Sequence, residues 1–563
     1  MKTFTKILLV LLIVLFQSCE EHLTDLNINH NGVDPSIVNP NLILPTVVVS
    51  TASSYLKGNY NEDFAGVMQY VQKSGWGSEL NELDWRRERS WSDKYNILRD
   101  ANQLYKRAEQ EGMEFQQGIA LIIRTLNFGY IADTWGDAPY SAALNALNGE
   151  QEDLFPVFDS QESIYKGIIE ELKTANTLLS KSEGEYKGIS PDADVIYGGK
   201  PSQWRKFANS IMLRYYMRLS AKLPDYAKAG IEEIVSNASV YPIFTSVKDD
   251  ATMEYIGSSQ NDSWPEAIAF DASKDNFTRI QLCAGFRDVL VEYNDPRLGV
   301  WFKKVVIPIK ISDKYGEDKI VNGVRYLHPD YIDSHNMVIY NKNTWVADVE
   351  AGKQLIDTME YAGLPIASTT GDGSGWNLNP QPIQGGPNVH NSALADMYQE
   401  SSGNLLKARL VSFAEVCFIL AEAAQKGWSV GTQKDWYEKG VKASFDTWGV
   451  SDDYASYIAE EGVKYNGSLE QIIEQKWIAN WTVAHESWCD WRRTGYPKFS
   501  IGPFALRNAM PIRYEYGSNE KSRNASNYKD AIQNLQETPF TATDGKDSSW
   551  SKFWLLQGMS NPY

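Results

Sequence analysis

Residues 486–497 read ESWCDWRRTGYP and place a thiol, two carboxylates, two guanidinium groups and two indoles within twelve residues. Three roles fit those types: a catalytic site, a metal site, or a packed structural corner. His485 precedes Cys489 by four residues, so on a helix an imidazole could activate the thiol as a nucleophile. Such a pair needs a third group to orient the base, and the local sequence supplies none. The corner accounts for every residue type. Trp488 and Trp491 are three apart and share a helix face. Arg492 and Arg493 can pair with nearby carboxylates such as Glu486 and Asp490, and Gly495-Tyr496-Pro497 ends the element. Trp488, Trp491, Arg492 and Arg493 are therefore expected to be structural, and a buried free cysteine is ordinary.

Other constellations carry less chemistry. Glu170/Glu171, Asp249/Asp250, Asp452/Asp453 and Glu460/Glu461 are adjacent acids. Glycoside hydrolysis needs two carboxylates ~5 Å or ~6.5–9.5 Å apart across a cleft, and adjacency does not deliver that. A secreted hydrolase is accordingly the lesser alternative. Residues 370–375, TGDGSG, hold one acid, too few for calcium. The histidines at 22, 30, 328, 335, 390 and 485 form no HxxxH or HxH pair, and Cys283, Cys417 and Cys489 lack zinc spacing. No metal and no cofactor are expected.

Aromatic residues are plentiful: 18 Trp, 31 Tyr and 20 Phe. Sugar rings present apolar C–H faces that stack on indole and phenol rings, so an aromatic surplus leans toward carbohydrate. Trp204, Trp428, Trp436, Trp448, Trp477, Trp481, Trp488 and Trp491 fall in or beside helical stretches, where core packing is the default. Trp76, Trp85 and Trp91 lie in SGWGSELNELDWRRERSW, and Trp264 and Trp376 lie in long polar loops. Polar surroundings favour exposure. The expected ligand-binding set is Trp76, Trp85, Trp264 and Trp376, with Asn81, Asn261, Asp262 and Asn377 as partners for hydroxyl groups.

Helical spacing places these residues in a scaffold. The pattern predicts helices near 42–57, 93–111, 116–133, 159–180 (with an Asp159–Glu162 capping box), 202–223 and 225–236. Ile164, Ile168, Leu172, Ala175 and Leu179 form the apolar stripe of the fourth. From 240 to 402, Gly, Pro, Asn, Asp and Ser become dense, with helical periodicity only near 286–294 and 353–362. Helices resume at 408–426, 434–448 and 468–484, the last opened by a Ser468–Gln471 box. Successive helix pairs stack into a superhelix of tetratricopeptide type. The fold class is mainly α, with a large loop-rich insert. The divisions are residues 1–18, 19–41, 42–239, 240–402 and 403–563.

The N-terminus sets the compartment. Lys2 and Lys6 precede an apolar run from Ile7 to Phe16. Ten residues span only ~15 Å as a helix, half of a bilayer core, so residues 1–18 read as a signal peptide. Ser18-Cys19 ends it as in a lipoprotein, making Cys19 the lipidation site and residues 19–41 a tether. Glu20 and Glu21 resemble the signal that exports some lipoproteins of the Bacteroidetes to the cell surface. Losing Lys2 and Lys6 takes the formal charge from −18 to −20. That charge and the lack of a basic stripe argue against nucleic acid.

Six stretches in order resemble the RagB/SusD family of nutrient-binding outer-membrane lipoproteins. They are ADTWGDAPYSAAL (132–144), DVIYGGKPSQWRKFANSIMLRYYMRLS (194–220), NDPRLGVWF (294–302), FAEVCFILAEAAQKGW (413–428), EQKWIANWTVAHESWCDWRRTGYP (474–497) and MPIRYEYGSNEKSRNASNY (510–528). The resemblance implies a helical body with tetratricopeptide-like units and no catalysis. It further implies capture of a glycan, or in some members a peptide, for a SusC-like TonB-dependent barrel in the outer membrane. Replacing Cys19 with Ala is expected to leave the protein folded but free of the membrane, because lipid chains supply the affinity. Fractionation without the barrel partner checks this; retention in the membrane fraction would contradict it.

Overall fold

The computed structural model describes residues 37–563, except 76, 151, 370–372 and 384 and the side chains of 147 and 152. Cys19 and Trp76 lie outside the described residues. No described helix is long and apolar enough to cross a membrane.

Helix α1 (Pro40–Tyr60) begins at Asn39, whose side chain accepts the Asn41 N–H at 2.9 Å. α2 (Ser92–Glu111) and α3 (Glu114–Trp135) form a hairpin turned at Gly112, where φ of 67° is left-handed and suits glycine. α3 is buried along nearly its whole length because α1, α2 and α4 (Gln161–Leu178) pack around it. Its Gly129 faces Tyr215 of α5 (Pro201–Leu219), where an added Cβ would lie 2.0 Å from the phenol oxygen. The missing side chain lets the two helices meet. α4 packs on α5, and α5 on α6 (Pro224–Ser236). The α4 stripe is buried as expected, but its cap is Ser160, which accepts Ser163 N–H at 3.2 Å. Asp159 instead accepts from the Tyr140 and Ser141 amides.

After a short α7 (Ala284–Glu292), the chain resumes helix pairing with α8 (Phe413–Gln425), α9 (Gln433–Trp448), α10 (Leu469–Ala479) and α11 (Ala484–Thr494). The tetratricopeptide-like helix-pair scaffold expected from the sequence is the observed architecture. Between the two helical runs the sheets are small. β2 (Ala251–Glu254) pairs antiparallel with β9 (Lys407–Val411), bringing the two ends of the insert together. β1 (Val71–Lys73) pairs with β3 (Ile280–Leu282) and ties the insert to the loop after α1.

Three predicted helices change. Residues 354–356 are a strand, Gln354–Ile356, paired in parallel with Met337–Ile339; cross-strand pairing overrides the local periodicity. Residues 407–411 are β9, and α8 starts only after Ser412 caps it. The helix expected over 468–484 stops at Ala479. Thr482 at φ 73° breaks the run, and ESWCDWRRT is itself most of α11.

α11 carries a buried charge network. Glu486 pairs with Arg218 at 2.5 Å and Arg214 at 3.4 Å, and accepts the Tyr55 hydroxyl at 2.8 Å. Arg214 also forms a two-bond fork with Glu415 of α8, both bonds 2.7 Å. Arg218 reaches Asp133 of α3 at 3.0 Å. Asp490 pairs with Lys476 of α10 at 2.7 Å and with Arg493 at 3.0 Å; Arg493 also grips Glu422 of α8. Burial alone would raise the Glu486 pKa, but the Arg214 and Arg218 guanidinium groups outweigh it and hold the carboxyl well below its usual range. Arg492 differs from expectation. Among the described residues it pairs with no carboxylate; it donates to the Asp133 and Ile512 carbonyls at 2.8 and 2.9 Å and lies 3.5 Å over the Trp488 ring.

Candidate ligand-binding site

The opening cluster is a corner and not a reaction centre. Cys489 is 2 % exposed, and burial pushes its thiol well above the ordinary range. His485, 3.8 Å away, is pushed down by burial. Asp133, His485 and Cys489 are close enough to share an ion. Two guanidinium groups already claim those ligand atoms, Arg218 on Asp133 and Arg492 on Cys489 at 2.9 Å. A cation there would face two fixed positive charges.

Of the expected stacking tryptophans, Trp85, Trp264 and Trp376 are largely buried, although Trp376 contributes to the wall of a cavity. Trp85 is 1 % exposed and packs against Phe64, Trp488 and Tyr514. Trp264, also 1 % exposed, lies against Tyr60, Tyr255 and Tyr398. Trp376 is 4 % exposed and donates to Asn391 at 3.1 Å. The rings of Trp85 and Trp264 pin loops to the core, and a ligand would have to unpack them to stack on them. Asn81 is buried and clamps Lys73, accepting its N–H at 2.9 Å and donating to its carbonyl. Asn377 is buried at φ 53° and bonds to Asp357 on both backbone groups and to the His390 carbonyl. Asp262 is half-buried and caps its own turn through Ser258 and Ser259; Asn261 is exposed.

What the structure does bring together is the loops that these residues hold. Ser74 accepts from Gly385 N–H at 3.2 Å, and Thr278 donates to Gly385 O at 2.6 Å. Ala367 N–H donates to Asn81 O, Phe504 N–H to Ala367 O and Leu506 N–H to Glu82 O. The described residues of 73–82, 274–279, 364–386 and 502–506 thus meet at one place. A cavity of ≈ 340 Å³ opens there, lined by Lys353, Gln354, Ser368, Thr369, Asn377 and Phe504 among others. Hydroxyls, amides and an amine face it together with a phenyl ring that is 41 % exposed. No carboxylate is among its described lining residues. Gln354, Thr369 and Phe504 escaped the sequence reading. Phe504, set in SIGPFALR between turn formers and away from any apolar stripe, was the legible signal.

The family model described as starch-binding and associating with the outer membrane matches residues 33–517. The chain belongs to the SusD-like family. No curated protein matches it closely enough to report. Among solved structures, the SusD-like chain is similar to an outer-membrane protein of Bacteroides vulgatus ATCC 8482 described as involved in nutrient binding. The identity is 25 %, 92 % of this chain and 100 % of that one are covered, and the TM-score is 0.68. It is also similar to a SusD homologue of Bacteroides fragilis NCTC 9343, at 22 % identity, 92 % and 99 % coverage and TM-score 0.67. A chitin-binding SusD homologue of Flavobacterium johnsoniae shares the fold at 20 % identity, 92 % and 97 % coverage and TM-score 0.65.

For this SusD-like protein, Trp264→Ala is expected to act on stability. Removing a buried indole leaves a cavity and costs about 3–5 kcal/mol, read as a lower midpoint in denaturant with the slope unchanged. A variant as stable as the parent would place Trp264 at the surface and reinstate it as a ligand contact.

Proposed function

We propose that this SusD-like protein captures an oligosaccharide or polysaccharide at the cell surface. It then passes the glycan to a SusC-like TonB-dependent barrel while held to the outer membrane by lipid on Cys19. The loop cluster around the 340 Å³ cavity supports the reading most directly. Sugars offer hydroxyl groups that trade hydrogen bonds with Gln354, Ser368 and Thr369, and a C–H face that stacks on Phe504. The mixed lining, with hydroxyls, amides, the rings of Trp376 and Phe504 and one ammonium, Lys353, that is already paired with Asp348, suits an uncharged polyol. Membership of a family described as starch-binding, and a shared fold with a chitin-binding relative, point the same way. Residues 240–402 supply most of the lining and act as the ligand-binding insert. Enclosure of the Cys489 thiol within the α11 corner supports binding over catalysis there.

Calorimetry against maltooligosaccharides, chitooligosaccharides and a peptide panel tests this. A glycan should bind, and Phe504→Ala should weaken it about tenfold or more as a central aromatic contact, with little change in melting temperature. Binding of peptides alone, or release of shortened sugars by the purified protein, would overturn the proposal. An unaltered glycan affinity in the variant would move the site away from Phe504.

A further inference from the structure

A second cavity lies elsewhere. The N-terminus of α2, the loop after α3 and the short helix Ser518–Arg523 enclose ≈ 600 Å³, and no lining residue is shared with the loop cluster. Its walls are apolar: Trp91, Tyr95, Leu154, Phe155 and Phe158. The Trp91 ring centroid lies 5.5 Å from Tyr95 and 5.6 Å from Phe158, so the aromatic side is a packed, preformed wall. Leu154, Phe155 and Val157 are left 57, 46 and 53 % exposed. Three large apolar side chains within four positions, beside a cavity, are a concentrated exposed patch.

One carboxylate, Glu520, stands among the described lining residues. Its Oε1 accepts the Trp91 indole N–H at 2.7 Å. Burial raises its pKa above the ordinary carboxylate range, and Glu88 nearby adds to the negative field. The adjacent cation is engaged elsewhere: Lys521 faces Glu88 at 3.2 Å and Asp547 at 3.5 Å. Arg523, at the exposed rim, forms no ion pair with Glu520 among the described residues. Among the described residues no cation forms an ion pair with this partly desolvated carboxylate, and Lys521 reaches it only through space. Ring faces attract cations as well, more strongly where water is thinned.

We propose that this cavity binds an organic ammonium with an aromatic or branched aliphatic body. The ammonium sits against Glu520 and the half-buried Tyr95 ring, and the body lies on Phe155, Phe158 and Leu154. The cavity volume falls in the range of small-molecule sites. It is a ligand class that the loop cluster, whose described lining carries Lys353 and no carboxylate, does not suit, so the protein carries two sites of different chemistry.

Fluorine NMR titration of the full chain with para-fluorophenethylamine, para-fluorophenylethanol and para-fluorophenylacetate tests this at neutral pH. The amine should bind roughly tenfold or more tightly than the alcohol, and the acid more weakly than either. Glu520→Gln keeps an acceptor for Trp91 but removes the charge, and should bring the amine down to the level of the alcohol. Phe155→Ala, at an exposed position that spares the fold, should weaken amine and alcohol alike. An amine no tighter than the alcohol, an acid that binds best through Arg523, or an unchanged amine affinity in Glu520→Gln would overturn the proposal. So would displacement of the amine by a sugar that needs Phe504, since the two cavities would then be one site.

Discussion

Burying Glu486 is the constraint on which the rest of the molecule turns. Its side chain is 3 % exposed, and an ion removed from water costs several kcal/mol unless it is paired and hydrogen-bonded. Arg214 and Arg218, one turn apart on α5, supply the charge, and Tyr55 of α1 supplies a donor. Those arginines then need more counter-charge, which Glu415 on α8 and Asp133 on α3 provide. Satisfying one carboxylate therefore fixes five helices: α1, α3, α5, α8 and α11. Asp490, one turn along α11, extends the same logic to α10 through Lys476 and again to α8 through Arg493 and Glu422. The N-terminal and C-terminal helix pairs are separated by more than 160 residues of insert, yet share one charged interior.

This division of labour explains where function sits. The described carboxylates of α11 are paired with cations, and its thiol is enclosed. The insert leaves the scaffold between α6 and α8 and is closed at its base by the β2–β9 pair. Its loops return to the segment after α1 through the β1–β3 pair and through Asn81, Ser74 and Gly385. The scaffold thus presents loops anchored by the buried indoles of Trp85 and Trp264, with Lys353, Ser368, Thr369, Trp376 and Phe504 along the cavity wall. Loops held on a rigid scaffold are the usual place for recognition.

Local pattern carried the helices, and distance hid the site. The α4 stripe was readable because Ile164, Ile168 and Leu172 recur at helical spacing, and Ser468 was readable as a cap because its partner, Gln471, is three residues away. The break at Thr482 was not, since Trp477, Trp481 and Trp488 keep an apolar rhythm across it and all three are buried. Trp85 and Trp264 are core residues and not surface platforms for a physical reason. Their polar neighbours serve turns and backbone, while the rings find partners far along the chain, such as Tyr60 and Tyr398 for Trp264. Arg493 was placed correctly as a pairing residue, but its Glu422 partner lies 71 residues away and Arg218 lies 268 residues from Glu486. The resemblance of six stretches captured the family because it sampled both helical runs at once, which no single stripe could do.

The claim that one buried charge network unites the two helical runs is tested most directly by a double-mutant cycle on Arg218→Met and Glu486→Gln, followed by denaturant unfolding. Each single change breaks a buried pair and should cost about 3–5 kcal/mol, and the double variant should cost well below their sum, by more than about 1.5 kcal/mol. Both probes of unfolding, one on each helical run, should report a single midpoint. Additive losses, or two separate midpoints in the parent protein, would contradict the account.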